Sequence, residues 1–288
     1  MTKQIKSDLL LIFVTIIWGS TFVIVKNATR IIPVYNFLFL RFSIAFIVLA
    51  ILYHKKFREI DRRTFLVSVI VGIMLFSGYA FQTMGLKYTT ASKSGFISGF
   101  NVVLVPILEA FLIKMKLSKT SWISVLLALA GLSLITANLD LTINYGDFLT
   151  FLCAIAFAFQ IVLIAKYAPS VDTVLFAMIQ IGIVAVLSGI FSFILEKPTI
   201  PISGSVWFAL ILTGIFATAF ALAVQNTMQA NTSATHAAII FSFEPVFSAL
   251  TAFIVAGEVM TLRVILGGIL MFFSMILSEM PARDNLRA

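Results

Sequence analysis

Ten runs of about twenty apolar residues follow one another through this chain, separated only by short polar or Gly/Pro breaks. They fall near residues 9–26, 34–53, 65–86, 91–113, 121–137, 146–165, 172–194, 205–227, 234–256 and 262–279. A helix needs roughly 20 such residues to cross a bilayer. In lipid the backbone must satisfy its own polar groups, which leaves helices and closed barrels as the only spanning structures. Runs of this length predict the helical solution, an all-α membrane protein with ten transmembrane helices. Composition agrees: 61% of the residues are hydrophobic and 11% are charged. The breaks, such as "HKKFREIDRRT" (54–64) and "LEKPTIPISG" (195–204), are too short for a soluble domain. Function is therefore expected inside the bundle, and the first run is read as a retained helix.

The formal charge of +8 raises the possibility of nucleic acid, but the positions of the basic residues point elsewhere. With the N-terminus inside, thirteen of the 20 Lys and Arg fall in inner loops, among them Lys55, Lys56, Arg58, Arg62, Arg63 and Lys114. Six fall outside and one, Arg41, lies within a span. That bias predicts an inner or plasma membrane protein with both termini cytoplasmic, no nucleic-acid partner, and the lipid bilayer as its surroundings. The single cysteine, Cys153, excludes a disulfide framework and a thiolate metal site.

Sliding the chain against itself reveals a weak repeat. At an offset of 143, Gln82 falls on Gln225, Thr89 on Thr232, Phe100 on Phe243 and Asn101 on Glu244. At an offset of 139, Asp8 falls on Asp147 and Arg41 on Gln180. Together they divide the chain into two five-span halves, residues 1–140 and 141–288. An odd number of spans per half turns the second half upside down. Such inverted repeats are the architecture by which secondary carriers expose one central site to each side in turn.

The segments "IIWGSTFVIVK" (16–26), "LRF" (40–42), "FQTMGLKYTTAS" (81–92), "NVVLVPIL" (101–108) and "FSFEPVFSALTAFIVAGEVMT" (241–261) resemble the EamA-type transporters of the drug/metabolite transporter superfamily. The resemblance covers essentially the whole chain. It implies a polytopic inner-membrane carrier, commonly an exporter of amino acids or other small metabolites, and leaves the substrate open.

Polar residues far from the ends of the spans are the candidates for a substrate site, because each is costly in hydrocarbon unless paired or wet. Glu244 stands alone between Ala237 and Gly257, where every other side chain is apolar or a hydroxyl. It reads either as a substrate ligand and proton-coupling group or as a packing device held by an amide or by Arg41. Pro245 is expected to kink that helix and free a carbonyl near residue 241. The matched helix carries Ser94, Ser98 and Asn101 on one face, which places Ser98 and Asn101 opposite Glu244. Gln82 and Gln225 enter from the preceding helices, with interhelical hydrogen bonding as their alternative. Tyr79, three residues before Gln82, is a stacking candidate. Arg41 either holds a substrate carboxylate or pairs with Glu244, and its length also permits snorkelling to the outer surface. Trp18 is an aromatic-belt residue unless its helix lines the cavity. Glu258 and His236 are read as interfacial, and Asp8 and Asp147 as lying in or beside loops.

No catalytic pair, metal cluster or phosphate-binding Gly-Lys-Ser/Thr loop can be drawn, so neither an enzyme, a metal or other cofactor, nor a self-powered pump is expected. The reading is a secondary transporter of small metabolites, with a passive facilitator or a non-transporting receptor as alternatives. A monomer is compatible with it.

Overall fold

A computed structural model describes residues 3–89, 91–114, 118–136, 144–256 and 261–279. They form α1 (Lys3–Ala28), α2 (Val34–Leu52), α3 (Arg62–Tyr88), α4 (Ala91–Gly99), α5 (Asn101–Leu112), α6 (Lys119–Thr136) and α7 (Tyr145–Tyr167). In the second half follow α8 (Thr173–Leu195), α9 (Gly204–Gly214), a π-helical turn (Ile215–Phe220), α10 (Ala221–Gln229), α11 (Ala234–Phe241), α12 (Glu244–Ala256) and α13 (Leu262–Glu279). There is no strand among the described residues. Six stretches are long and apolar enough to cross a bilayer: 4–28, 34–52, 62–88, 145–170, 173–195 and 204–229. The protein is an integral membrane protein.

The distribution of side chains is that of a chain solvated by lipid. Large apolar groups such as Phe111, Phe193, Phe208, Ile254 and Phe273 point outward, while Arg41, Glu109, Gln160, Gln180, Gln225 and Asn226 are buried. Polar groups gain hydrogen bonds inside that hydrocarbon cannot offer. Close helix contacts depend on small residues, since lipid gives helices no hydrophobic reason to associate. A Cβ on Gly78 would run into the ring of Phe157, and one on Gly85 would lie 2.9 Å from the Gly146 carbonyl oxygen, so α3 and α7 pack closely, with backbone against backbone at Gly85 and Gly146. Gly131 does the same for α6 against α13, where Ser274 Oγ also donates to the Ser124 carbonyl.

Helix starts are capped from nearby and from afar. Asp61 accepts from the amides of Arg63 and Thr64, Asp172 from those of Val174 and Leu175, and Asn144 and Asp147 form a reciprocal capping box. Two caps are long-range. Glu196 accepts from the amides of Tyr35 and Asn36 at 3.1 and 2.9 Å, opening α2. Glu109 accepts from Ala234 N at 2.9 Å, Thr235 N at 2.8 Å and the Thr235 hydroxyl, opening α11. A carboxylate there satisfies orphan amides and complements the positive end of the helix.

Several sequence expectations change. The runs at 91–113 and 234–256 are not continuous helices: the first breaks at Phe100, the second at Ser242 and Phe243. Pro245 does not kink a helix; it occupies the first turn of α12, where its missing N–H costs nothing. Asp8 lies within α1 rather than beside a loop and is buried, its Oδ1 3.1 Å from Nε2 of the equally buried His236. Asp147 is likewise buried in the first turn of α7, accepting from the Thr89 hydroxyl at 2.7 Å. Glu258 lies outside the described residues.

Candidate functional site

Where α4 gives way to α5 and α11 to α12, the two breaks occupy matching positions. Asn101 is the first residue of α5, directly after Phe100, and Glu244 is the first of α12, directly after Phe243. Both line a cavity of about 70 Å3 within the bundle, room for roughly five or six water-sized groups. Around them stand Trp18, Arg41, Tyr79, Gln82, Gln160 and Gln225. Seven of the eight residues singled out from the sequence thus meet at one cavity. Ser98 does not: it is buried in α4 and its hydroxyl donates to the Gly95 carbonyl at 3.1 Å. The turn at Phe100 explains the difference, because a straight helix would have kept Ser98 and Asn101 on one face.

Arg41 neither snorkels nor pairs with Glu244. It is 3% exposed, its Nε donates to Thr218 Oγ1 at 2.7 Å, and its guanidinium carbon lies 5.0 Å from the centre of the Tyr79 ring. That is cation–π range. Tyr79 is held in turn edge-on between Phe42 and Phe157, at 4.9 and 5.4 Å. Trp18 is no belt residue either. Its indole N–H donates to the Ala217 carbonyl in the π turn at 2.9 Å, and its ring lies 5.4 Å from Phe241. One residue on, Gly19 lets α1 touch the start of α12: a Cβ there would sit 2.7 Å from the Glu244 carbonyl oxygen and 2.8 Å from Phe247 Cβ.

The polar groups of the cavity divide into two kinds. Gln160 and Gln225 exchange hydrogen bonds at 3.4 and 3.5 Å, Gln225 donates to Gln229 at 3.4 Å, and Gln229 donates to the Ile161 carbonyl at 2.6 Å. That amide ladder joins α7 to α10. By contrast, the side chains of Glu244, Gln82 and Asn101 have no protein hydrogen-bond partner among the described residues, and Asn101 Oδ1 is buried in that state. A buried polar atom is normally paired, so a wall that holds the unpaired Asn101 Oδ1 beside the half-buried Glu244 and Gln82 is suited to a polar guest.

Gln160 was not anticipated, though a lone amide in "AIAFAFQIVLIAK" carries the same signal that marked Gln82. Thr21, its partner at an offset of 139, also lines the cavity. Thr218 gave no signal, because a threonine among apolar residues is unremarkable in a membrane helix. Glu109 was passed over as well, and the structure assigns it to capping.

Comparison with known proteins agrees with this picture. The EamA-like transporter family model matches residues 5–137 and again 144–280. An uncharacterized transporter of Archaeoglobus fulgidus is 33% identical over 276 residues, 96% of this chain and 86% of that one. The uncharacterized transporter YoaV of Bacillus subtilis is 24% identical over 277 residues, 93% of this chain and 94% of its own. A protein of known crystal structure, 19% identical, superposes with a TM-score of 0.79 over 98% of this chain and 99% of that one; this likeness speaks for the fold alone. The chain belongs to the EamA-like transporter family.

Proposed function

We propose that this EamA-family transporter is a secondary carrier which moves small metabolites such as amino acids, in the export direction, by alternating access to the central cavity. The observation that carries the reading is that one basic and one acidic side chain line that cavity. Arg41 and Glu244 line the same space without forming an ion pair with each other. A zwitterion offers a carboxylate to the first and an ammonium to the second, and the cavity volume limits the guest to a small one.

Two inverted five-helix halves, 1–140 and 141–288, are part of the proposal. Supporting it, the family model matches the chain twice, and the helix contacts keep their pattern when the halves are exchanged. Contacts of α3 with α7 have their counterpart in α1 with α10, those of α3 with α8 in α2 with α9, and those of α5 with α7 in α1 with α12. Contacts of α2 with α8 and α6 with α13 map onto themselves. Ten crossings follow if α4–α5 and α11–α12 each count as one broken span, as in many carriers.

Orientation follows the same logic. Gln4 bonds to Thr232, Lys56 to Asp172 and Arg63 to Ser170, so the N-terminus and the loops around 56, 170 and 232 share one end of the bundle. That end carries Lys55, Lys56, Arg58, Arg62 and Arg63, and we place it in the cytoplasm. Glu244 is the proposed proton-coupling group.

Reconstituted protein is expected to show saturable amino-acid counterflow. A broad metabolite panel without any saturable exchange sinks the carrier reading, and linear, non-saturating flux favours a passive facilitator. Glu244→Gln should remove acceleration by a pH gradient and, because it also takes away the partner of the ammonium, raise the half-saturation concentration while exchange persists at saturating substrate; unchanged coupling rejects the proton role.

A further inference from the structure

We infer that Thr218, a residue outside the cavity wall, is the positioning residue that presents Arg41 to the carboxylate of the cargo, an inference resting on the carrier reading above. Its hydroxyl stands at the middle of a two-bond relay. Thr218 Oγ1 donates to the Thr213 carbonyl at 2.8 Å, five residues back, a spacing set by the π turn of Ile215–Phe220. A hydroxyl has one proton, so with that proton committed, Oγ1 turns a lone pair toward Arg41 and accepts from Nε at 2.7 Å. The direction of both bonds is fixed.

Three further contacts support the geometry. Gly214 lets α2 lie close, since a Cβ there would come within 3.1 Å of the Arg41 carbonyl oxygen and of Ile44. Trp18 occupies the Ala217 carbonyl of the same turn. The rings of Tyr79 and Phe42, at 5.0 and 5.5 Å from the guanidinium carbon, restrict its plane. With Nε held at the rear by Thr218, the terminal nitrogens lie between Tyr79 and the cavity that the side chain lines. Two parallel N–H groups on a planar fork match a carboxylate and nothing smaller. A π turn inside an α-helical span is costly and recurs at functional sites; here it delivers one hydroxyl to one arginine.

The cargo class is therefore molecules with a free carboxylate, and Thr218 sets the preference for that group. The test is counterflow in proteoliposomes with the standard amino acids and their carboxamides, on wild type, Thr218→Val and Thr218→Ser. Thr218→Val should raise the half-saturation concentration for the amino acids roughly tenfold, with the maximal rate and the values for carboxamides little changed. Thr218→Ser keeps the hydroxyl and should restore the discrimination. Equal losses on acids and carboxamides, or no loss, overturn the inference while the carrier reading stands. Absence of exchange in the wild type overturns both. If Thr218→Val does not fold, Thr218→Cys, a far weaker acceptor of similar size, is judged by the same ratio.

Discussion

Gly19→Ala replaces one hydrogen by a methyl group, and the structure says where its carbon goes. It would lie 2.7 Å from the Glu244 carbonyl oxygen, 2.8 Å from Phe247 Cβ and 3.1 Å from Ser248 N. Ordinary contacts between such atoms are about 3.5–4.0 Å, and two of the three neighbours are backbone, which cannot swing aside. Relief requires α1 and α12 to part by roughly 1 Å. Overpacking of this sort costs about 1–3 kcal/mol. Alanine in place of glycine in a helix interior returns about 0.5–1 kcal/mol, leaving a net loss centred on about 1 kcal/mol and reaching about 2.5 kcal/mol. At roughly 2–4 °C per kcal/mol, or somewhat less for a chain this long, Tm should fall by about 2–6 °C. The control is Gly95→Ala in α4, where an added Cβ meets nothing within 4 Å; there propensity acts alone and Tm should hold or rise. Thermal unfolding of the purified protein in one detergent measures both. If Gly19→Ala melts at or above the wild type, as propensity alone dictates, the claimed close approach of α1 to the Glu244 turn is wrong.

Other predictions follow from the capping and loop contacts. Glu109→Ala strips the amides of Ala234 and Thr235 of their acceptor, which should cost about 3 kcal/mol and lower Tm by several degrees, with Glu109→Gln losing about half as much; melts equal to wild type would refute the cap. Trp18→Phe keeps a ring against Phe241 but leaves the Ala217 carbonyl without its donor, a loss of about 1–2 kcal/mol read by the same melts and absent if the indole bond does not matter. Asp172 gives a pH test. Burial pushes its carboxyl up, but the hydrogen bond and charge of Lys56 and the amides of Leu175 and Val174 outweigh that and hold it below the usual range. A lowered folded value stabilises above the unfolded value of about 3.9 and is lost as pH falls through the folded one. The Tm gap between wild type and Asp172→Asn should therefore shrink from about pH 5 to about pH 3; a constant gap contradicts it.

The membrane character was legible because the length of an apolar run is set by the thickness of the bilayer, whatever the helices later pack against. So, largely, were the candidate site residues. A polar side chain placed ten residues into an apolar run has nowhere favourable to go but inward, and residues from several helices driven inward at similar depth meet. That reasoning placed Arg41, Tyr79, Gln82, Asn101, Gln225 and Glu244 near one another, and they line one cavity. It erred where a helix does not continue. Ser98 and Asn101 share a face only on an unbroken helix, and the turn at Phe100, directly after Gly99, rotates them apart. Pro245 misled in the opposite sense, since a proline that disrupts a helix interior is also a favoured starter, and the residues around it fit both uses.

Depth along the membrane normal is encoded in one dimension, but rotation about each helix axis and the choice of partner are not. The Arg41–Thr218 bond joins residues 177 positions apart, and its existence depends on a π turn that shifts every later side chain of its span by about 100° relative to a regular helix. No periodicity in "GIFATAFALAVQ" announces that shift. The same limit explains why Arg41 resisted assignment: pairing with Glu244, snorkelling and substrate binding are equally compatible with its depth, and only the occupant of its Nε separates them. With Thr218 there, the guanidinium lines the cavity without an ion-pair partner among the described residues. Such an arrangement is unfavourable for a residue that merely braces a bundle and favourable for one whose counter-ion arrives with the cargo.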